Sequence, residues 1–181
     1  MDLSKAGVHH PRLIYFLDYL IFVGDDELRT LIICASIHRG NTLKIAKVIA
    51  EVIGAEIVRT WEVEPGQVAT YDLVGFGSGV YYGALHKSLC KFVEKLPQAH
   101  GNKVFIFSTS GLSKIPLIHD YHRSIKKALK KRGYEVIGEF TCRGYNTHGP
   151  FGWFGGINKG RPNERDLENA RKFAEKLLRV L

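Results

Sequence analysis

From Thr30 onward the chain alternates between short apolar runs and longer stretches with apolar residues at helical spacing. Leu31 to Ala35 is continuously apolar, as expected of a strand covered on both faces. Ile45, Val48, Ile49, Val52 and Ile53 then follow the spacing of an amphipathic helix, and Gly54 stands where that helix should stop. Glu56 to Arg59 reads as a second strand, and Glu64-Pro65-Gly66 marks a loop. Asp72 to Ser78 reads as a third strand, rich in small residues near its end. Leu85, Leu89, Phe92, Val93 and Leu96 stripe a second helix ahead of Pro97. Lys103 to Ser108 is a fourth strand, and Ile118, Tyr121, Ile125, Ala128 and Leu129 line a third helix closed by Gly133. Tyr134 to Thr141 is a fifth strand. The last helix opens at Pro162 and Asn163, with Leu167, Ala170, Phe173, Ala174, Leu177, Leu178 and Leu181 on one face. Strands alternating with helices require crossovers between parallel strands. The expected fold is α/β: a doubly wound five-stranded parallel sheet, order 2-1-3-4-5, with helices on both faces.

Two stretches depart from this rhythm. Met1 to Leu28 stands apart as an N-terminal extension, leaving residues 29–181 as the folded domain. Leu13 to Val23 is apolar except for Asp18 and too short to span a bilayer. Asp18 and the acidic Gly24-Asp25-Asp26-Glu27 are wrong for a signal peptide, so a docked N-terminal segment is expected. Cys142 to Arg161 is Gly- and aromatic-rich without periodicity. Loops of that length in a domain are usually functional or disordered, and Tyr145, Phe151, Trp153 and Phe154 argue against disorder.

A doubly wound sheet binds its ligand beyond the C-terminal ends of its strands, so the loops after strands one, three, four and five should converge. The first, Ser36-Ile37-His38-Arg39-Gly40-Asn41-Thr42, joins a strand to a helix. N–H groups at a helix start lack internal partners, and with the Ser36 and Thr42 hydroxyls they suit a phosphate. Gly40 allows close approach of the backbone. No Lys precedes Thr42, which excludes a Walker A loop, and one glycine is too few for a dinucleotide fingerprint. The third strand leads into Ser78-Gly79-Val80-Tyr81-Tyr82-Gly83, and the fourth into Ser108-Thr109-Ser110-Gly111. A phosphate cradle beside two such loops suits a flat aromatic ring on a phosphorylated tail.

Composition changes this picture little. The 181 residues carry 45% hydrophobic and 24% charged side chains, ordinary for a soluble domain. The net charge of +8 favours acidic partners or surfaces. The basic residues are scattered, and the densest group, Lys126 to Arg132, reads as a solvated helix face, so no nucleic-acid partner is expected. Three cysteines without a C-x-x-C exclude a disulfide framework and fit a reducing cytoplasm. His119 and His122 are three apart but lack a third ligand nearby, so no metal is expected. Trp61 is expected to pack rather than bind.

From about Thr30 to the C-terminus the chain resembles the flavodoxin family. Three stretches carry the resemblance: Ser-Ile-His-Arg-Gly-Asn-Thr, Gly-Ser-Gly-Val-Tyr-Tyr-Gly, and Gly-Gly-Ile-Asn-Lys-Gly-Arg-Pro-Asn before the final helix. It implies non-covalent FMN and electron transfer between redox partner proteins or small acceptors. By that resemblance Ser36, His38, Arg39, Gly40, Asn41 and Thr42 hold the FMN phosphate. Ser78, Gly79, Val80, Tyr81 and Tyr82 border the ring, and Ser108, Thr109, Ser110 and Gly111 close its other side. Gly79 is expected to invert its peptide against the flavin, favouring one-electron steps, and Tyr81 or Tyr82 to stack on the ring. The phosphate loop is one residue longer than the short Ser/Thr-x-Thr-Gly-x-Thr form of simple flavodoxins. Flavodoxins are typically acidic, whereas this chain is basic. The alternative function is an FMN-dependent reductase that takes hydride from a nicotinamide and passes electrons to a quinone or similar acceptor. In that case Tyr145 to Phe154 would wall the substrate pocket.

Overall fold

The structure, a computed structural model, describes residues 28–111, 120–147, 153 and 155–181. The expectations for the N-terminal extension and for His119 lie outside the described residues. Strands β1 (Thr30–Ala35), β2 (Glu56–Val58), β3 (Leu73–Tyr81), β5 (Lys103–Ser110) and β6 (Glu135–Arg143) form a parallel sheet in the spatial order β2-β1-β3-β5-β6. This is the doubly wound order expected from the alternation of patterns. The one addition is β4 (Ala84–Leu85), a two-residue strand that folds back antiparallel on β3.

Helices α1 (Asn41–Ile53) and α4 (Glu164–Leu178) cover one face, and α2 (Lys87–Glu94) and α3 (Arg123–Lys131) cover the other. Side chains alternate along each strand, so the sheet divides two cores. Ile32, Cys34, Phe105 and Phe107 meet Ile45, Ile49, Ala170, Ala174 and Leu177 on the α1/α4 side. Leu31, Ile33, Val74, Phe76, Val104 and Ile106 meet Leu89, Phe92, Ile125 and Leu129 on the other. Gly75 and Gly77 pair directly with Phe105 and Phe107 across the β3/β5 ladder. Each phenylalanine ring lies over the glycine opposite, so close that a Cβ on Gly77 would sit 2.1 Å from Phe107 Cζ. Burying each ring contributes about 2–3 kcal/mol, and the missing glycine side chains make the room.

Helix ends follow the expected chemistry. Gly54 closes α1 in the left-handed region at φ +67°. Asn163 and Asp166 form a reciprocal capping box at the start of α4, with bonds of 3.2 and 2.9 Å. The His86 ring accepts from the Ser88 N–H to cap α2. Trp61 is exposed, with the Arg59 guanidinium 5.3 Å above its ring, rather than packed.

His122, read as a possible half of a metal pair, is instead buried in a polar network. Its Nε2 lies 2.8 Å from Ser108 Oγ and its Nδ1 2.8 Å from Glu139 Oε2. Lys126 bonds both Glu139 and Asp120 at 2.9 Å. Ser108 is fully buried, so this Ser–His–Glu order ties β5, β6 and α3 together and offers no nucleophile to a substrate. Burial pushes the Glu139 carboxyl up, but Lys126 and His122 outweigh it and hold it below the ordinary carboxylate value. A carboxyl depressed in the folded state stabilises the fold above its unfolded pKa, and that contribution fades as pH falls through the folded value. Glu139→Gln should therefore lower stability at neutral pH and flatten its acid decline. Urea unfolding between about pH 7 and pH 3 checks this; parallel pH profiles for the two proteins would refute it.

Candidate cofactor-binding site

The strands carry the site further than the apolar runs suggested. β3 continues to Tyr81, β5 to Ser110 and β6 to Arg143, because ladder pairing persists through Gly79–Thr109 and Ser110–Arg143. Small and hydroxyl residues at these positions interrupt the apolar signal but not the backbone hydrogen bonding.

After β1 the chain turns through Arg39 at φ +55° and Gly40 at φ +67° into α1. Two successive left-handed residues make a tight turn that leads into the helix start, where an anion can bind. The start of α1 is closed by the Lys44 N–H, which donates to Gly40 O at 2.9 Å. The strained conformation of Arg39 costs about 1–2 kcal/mol. Ser36 Oγ accepts from Leu43 N at 3.2 Å, closing the turn and leaving its own O–H to donate. The Thr42 hydroxyl is buried 2.8 Å from Thr109 Oγ1, which locks the loop to the end of β5.

The loops meet around a cavity of about 280 Å³. Of the expected residues, His38, Arg39, Asn41, Thr42, Gly79, Val80, Tyr81, Tyr82, Thr109, Ser110 and Gly111 line it. Gly40 borders the adjoining concavity with Lys44 and Arg161. Ser36 shapes the turn. Ser78 and Ser108 lie one layer below the cavity, fully buried. Ser78 Oγ accepts from His86 N, and Ser108 Oγ bonds His122 and Thr141.

The third wall is Gly144, Tyr145, Asn146 and Thr147, which sequence patterns did not single out as cofactor contacts. Asn41 Nδ2 donates to Tyr145 O at 2.7 Å, and the Arg39 guanidinium lies 5.2 Å above the Tyr145 ring. Asn146 and Ile157 bridge the two limbs of the long loop, and Asn158 Nδ2 donates to Gly111 O at 2.5 Å. The advance signals were the convergence rule, because β6 ends at this wall, and the aromatic stretch that opens with Tyr145. Residues 148–152 and Phe154 lie outside the described residues.

The two tyrosines take different places. Tyr82 and Gly83, at φ +50° and +82°, form the tight turn between β3 and β4, leaving Tyr82 92% exposed at the cavity mouth. Tyr81 turns inward, edge-on to His38 and His86 at 5.7 and 5.4 Å. Burial pushes its phenol up, while the backbone N–H groups of His38 and Ile37 pull it back. A Cβ on Gly79 would lie 2.9 Å from the Tyr81 hydroxyl, so the glycine makes space for the ring. Gly79 itself lies within β3, and its carbonyl accepts from Ser78 Oγ at 2.7 Å. Its peptide is thus held rather than free, and the left-handed turn of this loop belongs to Tyr82 and Gly83.

Among the described residues, no carboxylate lines the cavity. A helix start at one end, a cation beside it and glycine- and tyrosine-lined walls suit a flat ring carrying a phosphate.

Comparison with known proteins agrees with this geometry. The Flavodoxin domain family matches residues 31–147. An uncharacterized protein of Methanocaldococcus jannaschii is 44% identical over 152 residues, covering 84% of this chain and 99% of that one. Oxidised flavodoxin 1 of Bacillus cereus superposes with a TM-score of 0.65 at 20% identity, over 84% of this chain and 99% of that one. A Streptococcus pneumonia flavodoxin does so with a TM-score of 0.64 at 18% identity, over the same shares of the two chains. Sheet order, converging loops and the sequence match over residues 31–147 lead to one assignment: the chain belongs to the flavodoxin family.

Proposed function

We propose that residues 29–181 bind FMN without a covalent bond and pass electrons between redox partners, in the cytoplasm. The observation that carries this reading is the turn through Arg39 and Gly40, which brings the N–H groups at the start of α1 and the buried Thr42 hydroxyl to the wall of the cavity. A dianionic phosphate satisfies several such donors at once, and the helix start adds its dipole. When bound, FMN would supply the redox chemistry, and this chain supplies position and electrostatics. Thr42, fixed by Thr109, would orient the phosphate, while Tyr82 at the mouth would cover the ring and limit its contact with water. No helix among the described residues is long and apolar enough to cross a membrane.

A reductase taking hydride from a nicotinamide is the second reading. It is favoured by Tyr145, Asn146 and Thr147, which wall the same cavity and could bound a small acceptor. Stepwise anaerobic reduction of the FMN-loaded protein, followed by visible absorption, separates the two. The carrier predicts two resolved one-electron steps. A single two-electron step would favour the reductase, and failure to retain flavin at all would refute both.

A further inference from the structure

Three concavities join along the C-terminal edge of the sheet. The cofactor cavity shares Arg39, Asn41 and Tyr145 with a neighbour of about 300 Å³, which in turn shares Arg161 with a third of about 390 Å³ beside β6. Together they make one trough that begins at the cofactor site and runs past the start of α4. Its cations are Arg39, Lys44, Arg143, Arg161 and Arg165. Among the described residues, the carboxylate that lines it is Asp166, 6% exposed and with both oxygens on Arg161 at 2.7 Å. Several carboxylates lie at the other end of the fold: Asp72 before β3, Glu94 at the end of α2 and Glu135 at the start of β6. The mouth adds exposed apolar surface, Tyr82 at 92% and Ile37 at 44%.

A small redox molecule needs only the cavity mouth. Two further cation-lined grooves serve something larger that stays in contact beyond the cofactor. Nucleic acid is disfavoured because the other basic run, Lys127, Lys130 and Lys131 on α3, lies across the sheet from α1 and α4. The two basic surfaces therefore do not merge into one phosphate track. An exposed tyrosine that shares its cavity with Arg39, beside a groove lined by Arg143, Arg161 and Arg165, is instead the composition of protein interface anchors.

We infer that the mouth of the site and the trough beside it dock an acidic electron-transfer protein, whose carboxylates lie along Arg143, Arg161 and Arg165 while Tyr82 anchors it over the cofactor. The inference rests on the flavin reading for its purpose but not for its test. A fluorescein-labelled decaglutamate peptide is titrated into the protein at rising salt, with anisotropy as the readout. The peptide should bind, and about tenfold more weakly at high than at low salt, since exposed charges are screened over about 10 Å at 0.1 M. Arg143→Glu with Arg165→Glu should weaken binding about tenfold, whereas Arg143→Lys with Arg165→Lys should retain it. Neither residue lines the cofactor cavity, so FMN affinity should not change in either variant. Absence of peptide binding, or equal binding by the glutamate variant, overturns the inference. Tighter binding of a short DNA duplex through the same two arginines also overturns it. Failure of the flavin reading would appear separately, as no FMN retained by the unaltered protein, and leaves the peptide result to be read alone.

Discussion

Gly77→Ala is expected to destabilise the fold by about 3 kcal/mol, at the upper end of the cost of overfilling a packed core. The added methyl would meet three ring atoms of Phe107 between 2.1 and 2.7 Å. Phe107 cannot step aside. It is fully buried, stacks on Phe105 at 6.0 Å and packs in the core shared with α1 and α4. The strain would fall on the β3/β5 ladder, which also positions Gly79 and Thr109 at the cofactor cavity. Chemical denaturation measures the loss. Phe107→Leu in the same chain should restore part of it by removing ring atoms from the clash. Gly66→Ala is the control: nothing lies within 4 Å of a Cβ there, so its effect should stay within about 0.5 kcal/mol. Equal effects at the two glycines would refute the packing account.

Ser36→Ala combined with Thr42→Ala is expected to weaken FMN binding about 30- to 100-fold, taking roughly 1–1.5 kcal/mol for each hydroxyl. The two losses differ in kind. Ser36 Oγ ties the turn to Leu43 N and keeps a donor for the ligand. Thr42 is held by Thr109, so its loss removes both a donor and the link between the loop and β5. Riboflavin lacks the phosphate, so its affinity should change by less than about threefold. Thr109→Val should reproduce part of the FMN loss without touching the loop sequence, because it frees the Thr42 hydroxyl to rotate. Fluorescence titration of the apoprotein with each flavin makes the comparison. An equal loss for FMN and riboflavin would falsify the placement of the phosphate.

The legible parts of this chain were those with a local physical signature. Apolar runs and helical stripes specified the strands and helices, and their alternation specified parallel crossovers, hence the sheet order. The turn from β1 into α1 was legible because its hydroxyls and Gly40 sit within seven residues between a strand and a helix. Strand ends were less so: Gly79, Val80, Thr109 and Ser110 read as loop because small and polar residues conceal a ladder that backbone atoms continue. The polar network around His122 was not legible, because its partners, Ser108 and Glu139, are 14 and 17 residues away.

By itself, then, the sequence determined the layer architecture and the strand order, since each depends on periodicity or on neighbours within a turn. Tertiary structure decided the rest. Gly75 and Gly77 make room for rings from a strand 30 residues away in the chain. Tyr81 and Tyr82, adjacent and chemically alike, separate into a half-buried and an exposed role because a two-residue turn falls between β3 and β4. Tyr145 joins Arg39 in one wall only because β6 ends beside β5. Contacts of this kind depend on which side chains the sheet brings opposite one another, and no local pattern encodes that.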